Sequence, residues 1–144
     1  MKVSEITVSY RNSNPKRIKI SNSRDLFNLA SQNWNMGLIE YQEEVKIFLL
    51  NKANIVLGIY EVSKGGITSS IVDFRIILGV ALKCNAVQLV LMHNHPSGNL
   101  KPSDADISIT KKLKQACGLL EITLLDHLIV REDGYYSFSD SGML

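Results

Sequence analysis

The chain has 144 residues and a net charge of +2, with 45% hydrophobic and 21% charged residues. This length is enough for one domain with a proper core and too short for two ordinary ones, so we expect a single domain over residues 1–144. The composition excludes a disordered chain. The near-neutral charge gives no general electrostatic argument for binding nucleic acid or an anionic membrane.

The lack of a recognisable signal peptide and the use of cysteine together predict a cytoplasmic protein. The first ten residues, MKVSEITVSY, lack the apolar core of a signal peptide, and no apolar run reaches the length that crosses a bilayer. Cys84 and Cys117 each lie in an apolar helical pattern without a partner at CxxC spacing. We therefore expect two reduced, buried thiols and no cysteine metal site.

In the first half of the chain, the pattern predicts strands, a helix and a hairpin. Residues 3–9 alternate loosely and suggest a strand, and residues 17–20 suggest a returning strand after a polar turn. Apolar residues then recur at helical spacing behind Ser23, a plausible N-cap. The β-rich runs at 45–50 and 54–62 are joined by a polar turn, which predicts a hairpin.

The second half of the chain alternates helices and strands. The continuous apolar run VQLVLM at 87–92 is typical of a central strand that is buried on both faces. The other predicted elements are a loop at 63–70, a helix at 71–85, a helix at 103–117 that Gly118 ends, and strands at 122–130 and 135–138.

This order of elements predicts an α/β (α+β) fold with a single mixed β-sheet flanked by helices. A lone Rossmann unit is disfavoured, because no glycine-rich phosphate turn follows the first strand. An exposed strand edge at 3–9 or 135–138 could pair with another copy, which leaves a homo-oligomer as an open alternative.

The segment MHNHPSGNLKPSDADI, residues 92–107, has the donors of a metal site. His93 and His95 follow a buried strand, and residues two apart in extended chain point to the same side. The Pro- and Gly-containing loop after them is long enough to double back, so that Asp106, in the next helix's first turn, can reach both imidazoles. Two histidine nitrogens and one carboxylate oxygen are three protein ligands for zinc, with the fourth position left to water, as in catalytic sites.

A simpler interpretation of the same residues stays open. Ser103-x-x-Asp106 is also a helix capping pattern, in which the acid suits the helix dipole, and HxH alone is a weak signal. The joint pattern of two histidines, a constrained loop and a carboxylate favours the metal site. Zinc or another divalent ion would fit such nitrogen and oxygen donors.

These residues resemble a known signature. His93-x-His95, seven residues, Ser103, two residues and Asp106 is similar to the JAMM motif of the JAB/MPN metalloprotease superfamily. HNHPSG, PSxxD, LLDHLIV and YYSF resemble its RadC branch, from about residue 19 to the C-terminus. The resemblance implies a JAB/MPN-like fold, related in architecture to the cytidine-deaminase-like fold. Full-length members usually carry an N-terminal helix-hairpin-helix module, for which we expect no room here.

The resemblance also implies roles for individual residues. His93, His95 and Asp106 would bind one Zn²⁺ per chain. Ser103 would help to hold the oxyanion of a tetrahedral intermediate. A glutamate near the start of a strand would be the general base, for which Glu43 is the candidate and Glu44 the fallback. We expect His127 either to contact the ligands or to be a structural residue, and not to bind the metal itself, because three ligands are already accounted for.

The implied function is that of a zinc-dependent metallopeptidase or isopeptidase acting on an unidentified protein or peptide. Two alternatives stay open. One is a non-catalytic, zinc-stabilised binding module. The other is an accessory DNA-repair-associated protein, which the resemblance to the RadC branch implies and for which the near-neutral charge gives little support. Deaminase chemistry is disfavoured, because HxE and PCxxC elements are missing. The branch's usual Gly-Thr is Gly65-Gly66 here and its usual Pro-Arg-Glu is Phe74-Arg75-Ile76. We expect these departures to bear on substrate contacts or loop packing and not on zinc binding.

Overall fold

A computed structural model of the chain describes residues 1–65 and 72–144. Within those residues, no helix is both long and apolar enough to cross a bilayer. The helices and strands are, in chain order, α1 (Ser23–Gln32), β1 (Glu44–Leu50), β2 (Val56–Lys64), α2 (Phe74–Lys83), β3 (Gln88–Asn94), α3 (Asp104–Leu119), β4 (Thr123–Arg131) and β5 (Gly134–Ser137).

The strands form one sheet in the order β2-β1-β3-β4-β5. β3 runs parallel to β4, and the other neighbouring pairs are antiparallel. Parallel strands cannot be joined by a tight hairpin, so α3 makes the crossover between β3 and β4. The mixed sheet with flanking helices that the sequence predicts is confirmed, and the predicted strand at 135–138 is present as the edge strand β5.

The two faces of the sheet bury separate apolar clusters. One lies between the sheet and helices α2 and α3 and includes Ile47, Leu91 and Leu113. The other contains residues of α1 and includes Phe48 and Met92. Adjacent residues of β1 and β3 therefore point to opposite faces, as the alternation of side chains along a strand requires. β3 is buried on both faces, as its continuous apolar run predicts.

The predicted strand at 3–9 is wrong, and the predicted strand at 17–20 is reduced to one bridge between Lys19 and Ile55. Val3 and Ile6 are 87% and 86% exposed. Loose alternation is not enough for a strand, because a strand also needs a neighbouring strand or a buried face. The exposed edge expected at 3–9 is therefore not present.

Two predicted helix ends are also wrong. The N-cap of α1 is Asn22, not Ser23, because the Asn22 side chain accepts from Asp25 N–H at 2.9 Å. Gly118 does not end α3, which continues to Leu119. The left-handed residue after α3 is Glu121, at φ 57°, and the two hydrogen bonds of a Schellman motif close the helix around it.

Around α2, the chain departs from the predicted boundaries. β2 continues to Lys64, into the predicted loop at 63–70, of which residues 66–70 lie outside the described residues. The helix predicted at 71–85 begins at Phe74, because the Asp73 side chain caps it by accepting from Arg75 N–H at 2.9 Å. Residue 71 also lies outside the described part of the chain.

Both cysteines are buried free thiols, as the sequence predicts. Cys117 lies inside α3, and Cys84 is the C-cap of α2. Burial raises the pKa of the Cys117 thiol to about 11. This thiol is therefore protonated at neutral pH, which makes it a poor metal ligand and a poor nucleophile.

Candidate metal centre

β3 brings two histidines to one end of the sheet. His93 lies within the strand and pairs with Val45 of β1 on one side and with Ile129 of β4 on the other. His95 is the first residue after the strand. Because alternate residues of extended chain point to the same side, both rings lie on the sheet face that α2 and α3 cover. Their Nε2 atoms are 2.9 Å apart.

The loop after β3 folds back and holds the second imidazole. Gly98 N–H donates to the His95 carbonyl at 2.8 Å, and Gly98 has φ of 76°, a conformation that glycine adopts without steric cost. This turn brings the Asn99 carbonyl oxygen to 2.6 Å from His95 Nδ1. A carbonyl oxygen can only accept, so the hydrogen is on Nδ1 and Nε2 of neutral His95 carries a lone pair.

The first turn of α3 positions the carboxylate. Ser103 is the N-cap: its Oγ accepts from Asp106 N–H at 3.1 Å, and Asp106 Oδ2 accepts from Ser103 N–H at 2.8 Å. Asp106 Oδ1 also lies 3.2 Å from His93 Nε2, and Oδ2 lies 3.1 Å from His95 Nε2. The sequence leaves helix cap and metal ligand as alternatives, whereas in the structure one carboxylate makes the cap and faces both histidines.

The charge state of the cluster reflects this arrangement. Burial raises the pKa of Asp106, but hydrogen bonds with His93 and His95 outweigh burial and hold this pKa well below its ordinary value. The pKa of His95 is raised, mainly by its hydrogen bond with Asp106. Both shifts have the same physical meaning: positive charge between these side chains is stabilised, whether a proton or a metal ion carries it.

The three side chains form a donor set that could hold a metal ion. One ligand atom from each of His93, His95 and Asp106 lies within 4.8 Å of the others. Lone pairs that converge on one point repel each other unless a cation or proton lies among them, and two imidazole nitrogens with one carboxylate oxygen are a common donor set for divalent ions. The residues that the sequence predicts as ligands are thus brought together.

A pocket of about 440 Å³ opens beside this cluster. It is large enough to admit part of an extended peptide or a small molecule. Its walls combine the candidate ligands with apolar side chains from both strands and helices. The lining residues are Glu43, Val45, Val72, Leu91, His93, His95, Pro96, Ser97, Ser103, Ala105, Asp106, Ile109 and His127.

The register of β1 separates the two candidate glutamates. Glu43 lines the pocket together with Val45, two residues further on, and its negative charge contributes to the raised pKa of His95. Glu44 has the opposite orientation, since adjacent residues of a strand alternate. It is 1% exposed, and its carboxylate is 3.4 Å from Lys46 Nζ. The structure therefore brings Glu43 to the histidines and directs Glu44 away from them.

His127 of β4 lies directly behind His93. Its Nε2 is 2.8 Å from His93 Nδ1, and its ring stacks on Phe138 with centroids 4.4 Å apart. Burial lowers the pKa of His127 well below its ordinary value, so the ring is neutral at pH 7. It contacts a candidate ligand without belonging to the group that could hold a metal ion, which agrees with the role expected from the sequence.

Comparison with known proteins gives the family. A model of the RadC-like JAB domain matches residues 20–143. The chain belongs to this family. The resemblance that the sequence motifs carry is therefore confirmed.

Several UPF0758 proteins are similar to this RadC-like chain, and that shared name states no activity. The matches cover 87–90% of this chain but only 53–59% of the relatives, so the chain spans a little over half the length of the curated relatives it matches. Identity is 44% over 125 residues with the protein of Flavobacterium johnsoniae, 37% over 132 with that of Porphyromonas gingivalis, and 39% over 135 with that of Clostridium novyi.

None of the departures from the usual RadC-like pattern is itself a candidate ligand. Arg75 and Ile76 are in the first turn of α2, where Ile76 is 40% exposed. Gly65 N–H donates to the Glu43 carbonyl at 2.9 Å and so ties β2 to the residue that lines the pocket. Gly66 lies outside the described residues.

Asn94, which the sequence analysis did not single out, holds the segment that leads to Glu43. It is fully buried and, lying between the two histidines in the chain, points to the opposite face. Its Oδ1 accepts from Glu44 N–H at 2.7 Å, and its Nδ2 donates to the carbonyls of Ile39 and Gln42 at 2.7 and 2.8 Å. In the sequence, the only signal for this role is that Asn94 is a polar residue between two candidate ligands. Its hydrogen-bond partners lie about 50 residues upstream, and residue spacing does not reveal them.

Replacing Asn94 by alanine should destabilise the RadC-like fold by about 3 kcal/mol, because two buried backbone groups and one part-buried backbone group lose their partners. Urea unfolding of the metal-free protein measures the change. The exposed Gln32, at the end of α1, is the control, and its replacement by alanine should change stability by less than about 0.5 kcal/mol. If the two variants unfolded at the same urea concentration, Asn94 would not be an anchor for this segment.

Proposed function

We propose that the chain is the catalytic domain of a zinc-dependent hydrolase that cleaves a peptide or isopeptide bond. One observation carries the proposal: ligand atoms of His93, His95 and Asp106 converge within 4.8 Å at a pocket that Glu43 also lines. Membership of the RadC-like JAB family supports it. The donor set is that of catalytic zinc sites, which leave one position for water.

The residues have distinct roles in this proposal. His93, His95 and Asp106 hold the ion, and zinc, when bound, supplies a Lewis acid and lowers the pKa of a water molecule towards neutrality. Glu43 takes a proton from the attacking water and later delivers it to the leaving amine. Ser103 Oγ uses a lone pair to accept from Asp106 N–H, so its hydroxyl proton can be donated to the carbonyl oxygen that gains negative charge.

The lining of the pocket supports an amide in an extended peptide as the substrate. Apolar side chains of Val45, Leu91 and Ile109 lie beside the polar cluster, which suits a substrate with apolar groups next to the bond that is cleaved. A main-chain peptide bond and a lysine-linked isopeptide bond present the same amide to Glu43 and the ion. The proposed partner is thus a protein or a peptide.

The first experiment combines metal analysis with substrate screening. Protein purified without chelator or metal-affinity tag should contain about one zinc per chain by mass spectrometry. The same sample should cleave members of a peptide library or an isopeptide-linked panel, lose this activity with chelator and regain it with zinc. No zinc in the protein, and none taken up on addition, would contradict the proposal.

A second candidate function is a zinc-stabilised binding module without turnover. It is favoured by the contacts of Asp106, which joins the start of α3 to the end of β3 through His93 and His95. An ion held there would stabilise the fold whether or not a substrate is cleaved. Zinc-bound protein that is more stable than the metal-free form but cleaves nothing in the panels would favour this alternative.

Zinc affinity should decrease as the pH falls, and the decrease should begin above pH 6.5, the ordinary value for histidine. A histidine ligand must lose its proton, and the raised pKa of His95 means that protons compete for Nε2 at a higher pH than usual. Asp106, whose pKa is lowered, stays ionised throughout and adds no change. Competition with a chromophoric chelator between about pH 6 and pH 8 measures this; constant affinity over the range would contradict it.

A further inference from the structure

A row of buried side chains continues from His93 into the protein. His93, His127 and Thr110 are 4%, 1% and 2% exposed. His93 Nδ1 lies 2.8 Å from His127 Nε2, and His127 Nδ1 lies 2.6 Å from Thr110 Oγ1. Thr110 Oγ1 in turn donates to the backbone carbonyl of Asp106 at 2.7 Å. The row therefore starts at one candidate ligand and ends at the main chain of another.

The direction of each hydrogen bond in this row follows from its last member. The Asp106 carbonyl can only accept, so the single hydroxyl hydrogen of Thr110 is used there. His127 Nδ1 must then donate to Thr110 Oγ1, which leaves a lone pair on Nε2 of the neutral His127 ring. That lone pair can only accept from His93 Nδ1–H. His93 Nε2 consequently carries a lone pair and faces Asp106 Oδ1 at 3.2 Å.

Packing holds the members of the row in place. The His127 ring is nearly parallel to the Phe138 ring, at an interplanar angle of 9°, which fixes the plane in which its two nitrogens lie. Thr110 is one helical turn after Asp106 on the buried side of α3. A ring flip of His127 would require its two hydrogen-bond partners, His93 and Thr110, to move within a tightly packed interior.

We propose that Thr110 and His127 are positioning residues that hold His93 in the tautomer with hydrogen on Nδ1, so that its Nε2 lone pair is presented to the metal site. The proposal deepens the proposed function and rests on it for the role of that lone pair. The arrangement of hydrogens is a property of the protein itself and can be tested separately.

Nitrogen-15 NMR of the histidine rings tests the arrangement directly. In the metal-free chain, at about pH 9, well above the ordinary pKa of histidine, His93 and His127 should each carry hydrogen on Nδ1. In the zinc-loaded chain, His127 should give the same pattern, and His93 should bind through Nε2. Hydrogen on Nε2 of His93 in the metal-free protein, or of His127 in either form, would overturn the proposal.

Thr110→Val tests whether the Thr110 hydroxyl sets the directions of these hydrogen bonds, because valine has almost the same shape but no hydroxyl. Thr110→Ser is the matched control that retains the hydroxyl. Valine should allow His93 to populate the tautomer with hydrogen on Nε2 and should weaken zinc binding at least about tenfold, as losses behind metal ligands commonly do. Serine should retain the wild-type tautomer and an affinity within about threefold of wild type. Equal affinities and tautomers in the two variants would contradict a positioning role.

The readouts separate this inference from the proposed function. If the wild-type chain bound no zinc but His93 and His127 both carried hydrogen on Nδ1, the hydrolase proposal would fail and the hydrogen-bonded row would stand. If zinc bound and the tautomers differed from those expected, the row would fail and the metal site would stand. Near-UV circular dichroism of both variants confirms that the valine substitution has not unfolded the chain.

Discussion

Replacing Glu43 by glutamine should reduce the rate of hydrolysis about 10²- to 10⁴-fold and leave the zinc content unchanged. Glutamine has nearly the same shape and keeps an oxygen in the pocket, but it cannot take up a proton at neutral pH. The zinc content should persist because the candidate ligands are His93, His95 and Asp106. The measurement is kcat on a substrate that the wild type cleaves, with metal analysis of the same samples.

Two neighbouring acids provide controls for the Glu43 variant. Glu40 is exposed, and its replacement by glutamine should not change kcat. Glu44→Gln removes a buried carboxylate beside Lys46, so it should lower stability while the folded protein retains the proposed activity within a few-fold. Full activity in Glu43→Gln together with its loss in Glu44→Gln would show that the wrong glutamate has been assigned as the base.

Replacing Asp106 by alanine should weaken zinc binding by at least about 100-fold and abolish metal-dependent hydrolysis. We expect a decrease in zinc affinity of this size because one of three protein ligands is lost. Even the loss of a residue that only hydrogen-bonds to a ligand costs about 10- to 100-fold in metal affinity. The variant also loses half of the capping box, worth about 1 kcal/mol of stability. Zinc competition titrations and metal analysis of the purified protein measure the loss.

The first turn of α3 offers matched controls that separate capping from ligation. Asp104→Ala removes an exposed acid from the same turn and should leave zinc binding unchanged. Ser103→Ala removes the other side-chain hydrogen bond of the capping box, the one that Ser103 Oγ accepts from Asp106 N–H. This variant should lose stability but retain most of its zinc affinity. One tightly bound zinc per chain in Asp106→Ala would mean that Asp106 is only a helix cap.

Sequence patterns were sufficient where a long apolar run or a short contiguous motif determines the structure, although they misplaced ends of α1, α2 and α3. The run at 87–92 predicted a central strand buried on both faces, because an apolar side chain at every position leaves neither face for water. The spacing of His93, His95 and Asp106 predicted their convergence, because a strand end, a constrained loop and a helix start fix where those side chains point.

Features that depend on distant partners could not be predicted from the sequence. Alternation at 3–9 was a false signal, because the sequence does not show whether a neighbouring strand accepts the segment. The choice between Glu43 and Glu44 needed the pairing of Val45 with His93. Thr110 was missed because its partner His127 comes from another element, and an isolated threonine in a helix gives no indication of such a contact.

The candidate ligands and the candidate base lie in different parts of the sequence. His93, His95 and Asp106 belong to one short contiguous stretch of chain, whereas Glu43 lies far upstream, just before β1, in a segment that Asn94 anchors. Local unfolding of residues 39–44, or substitutions within them, would thus displace the candidate base and leave the segment with the candidate ligands in place. In the proposed hydrolase, ion retention and turnover would therefore be separable traits, and descendants of one active ancestor could lose the second while inheriting the first.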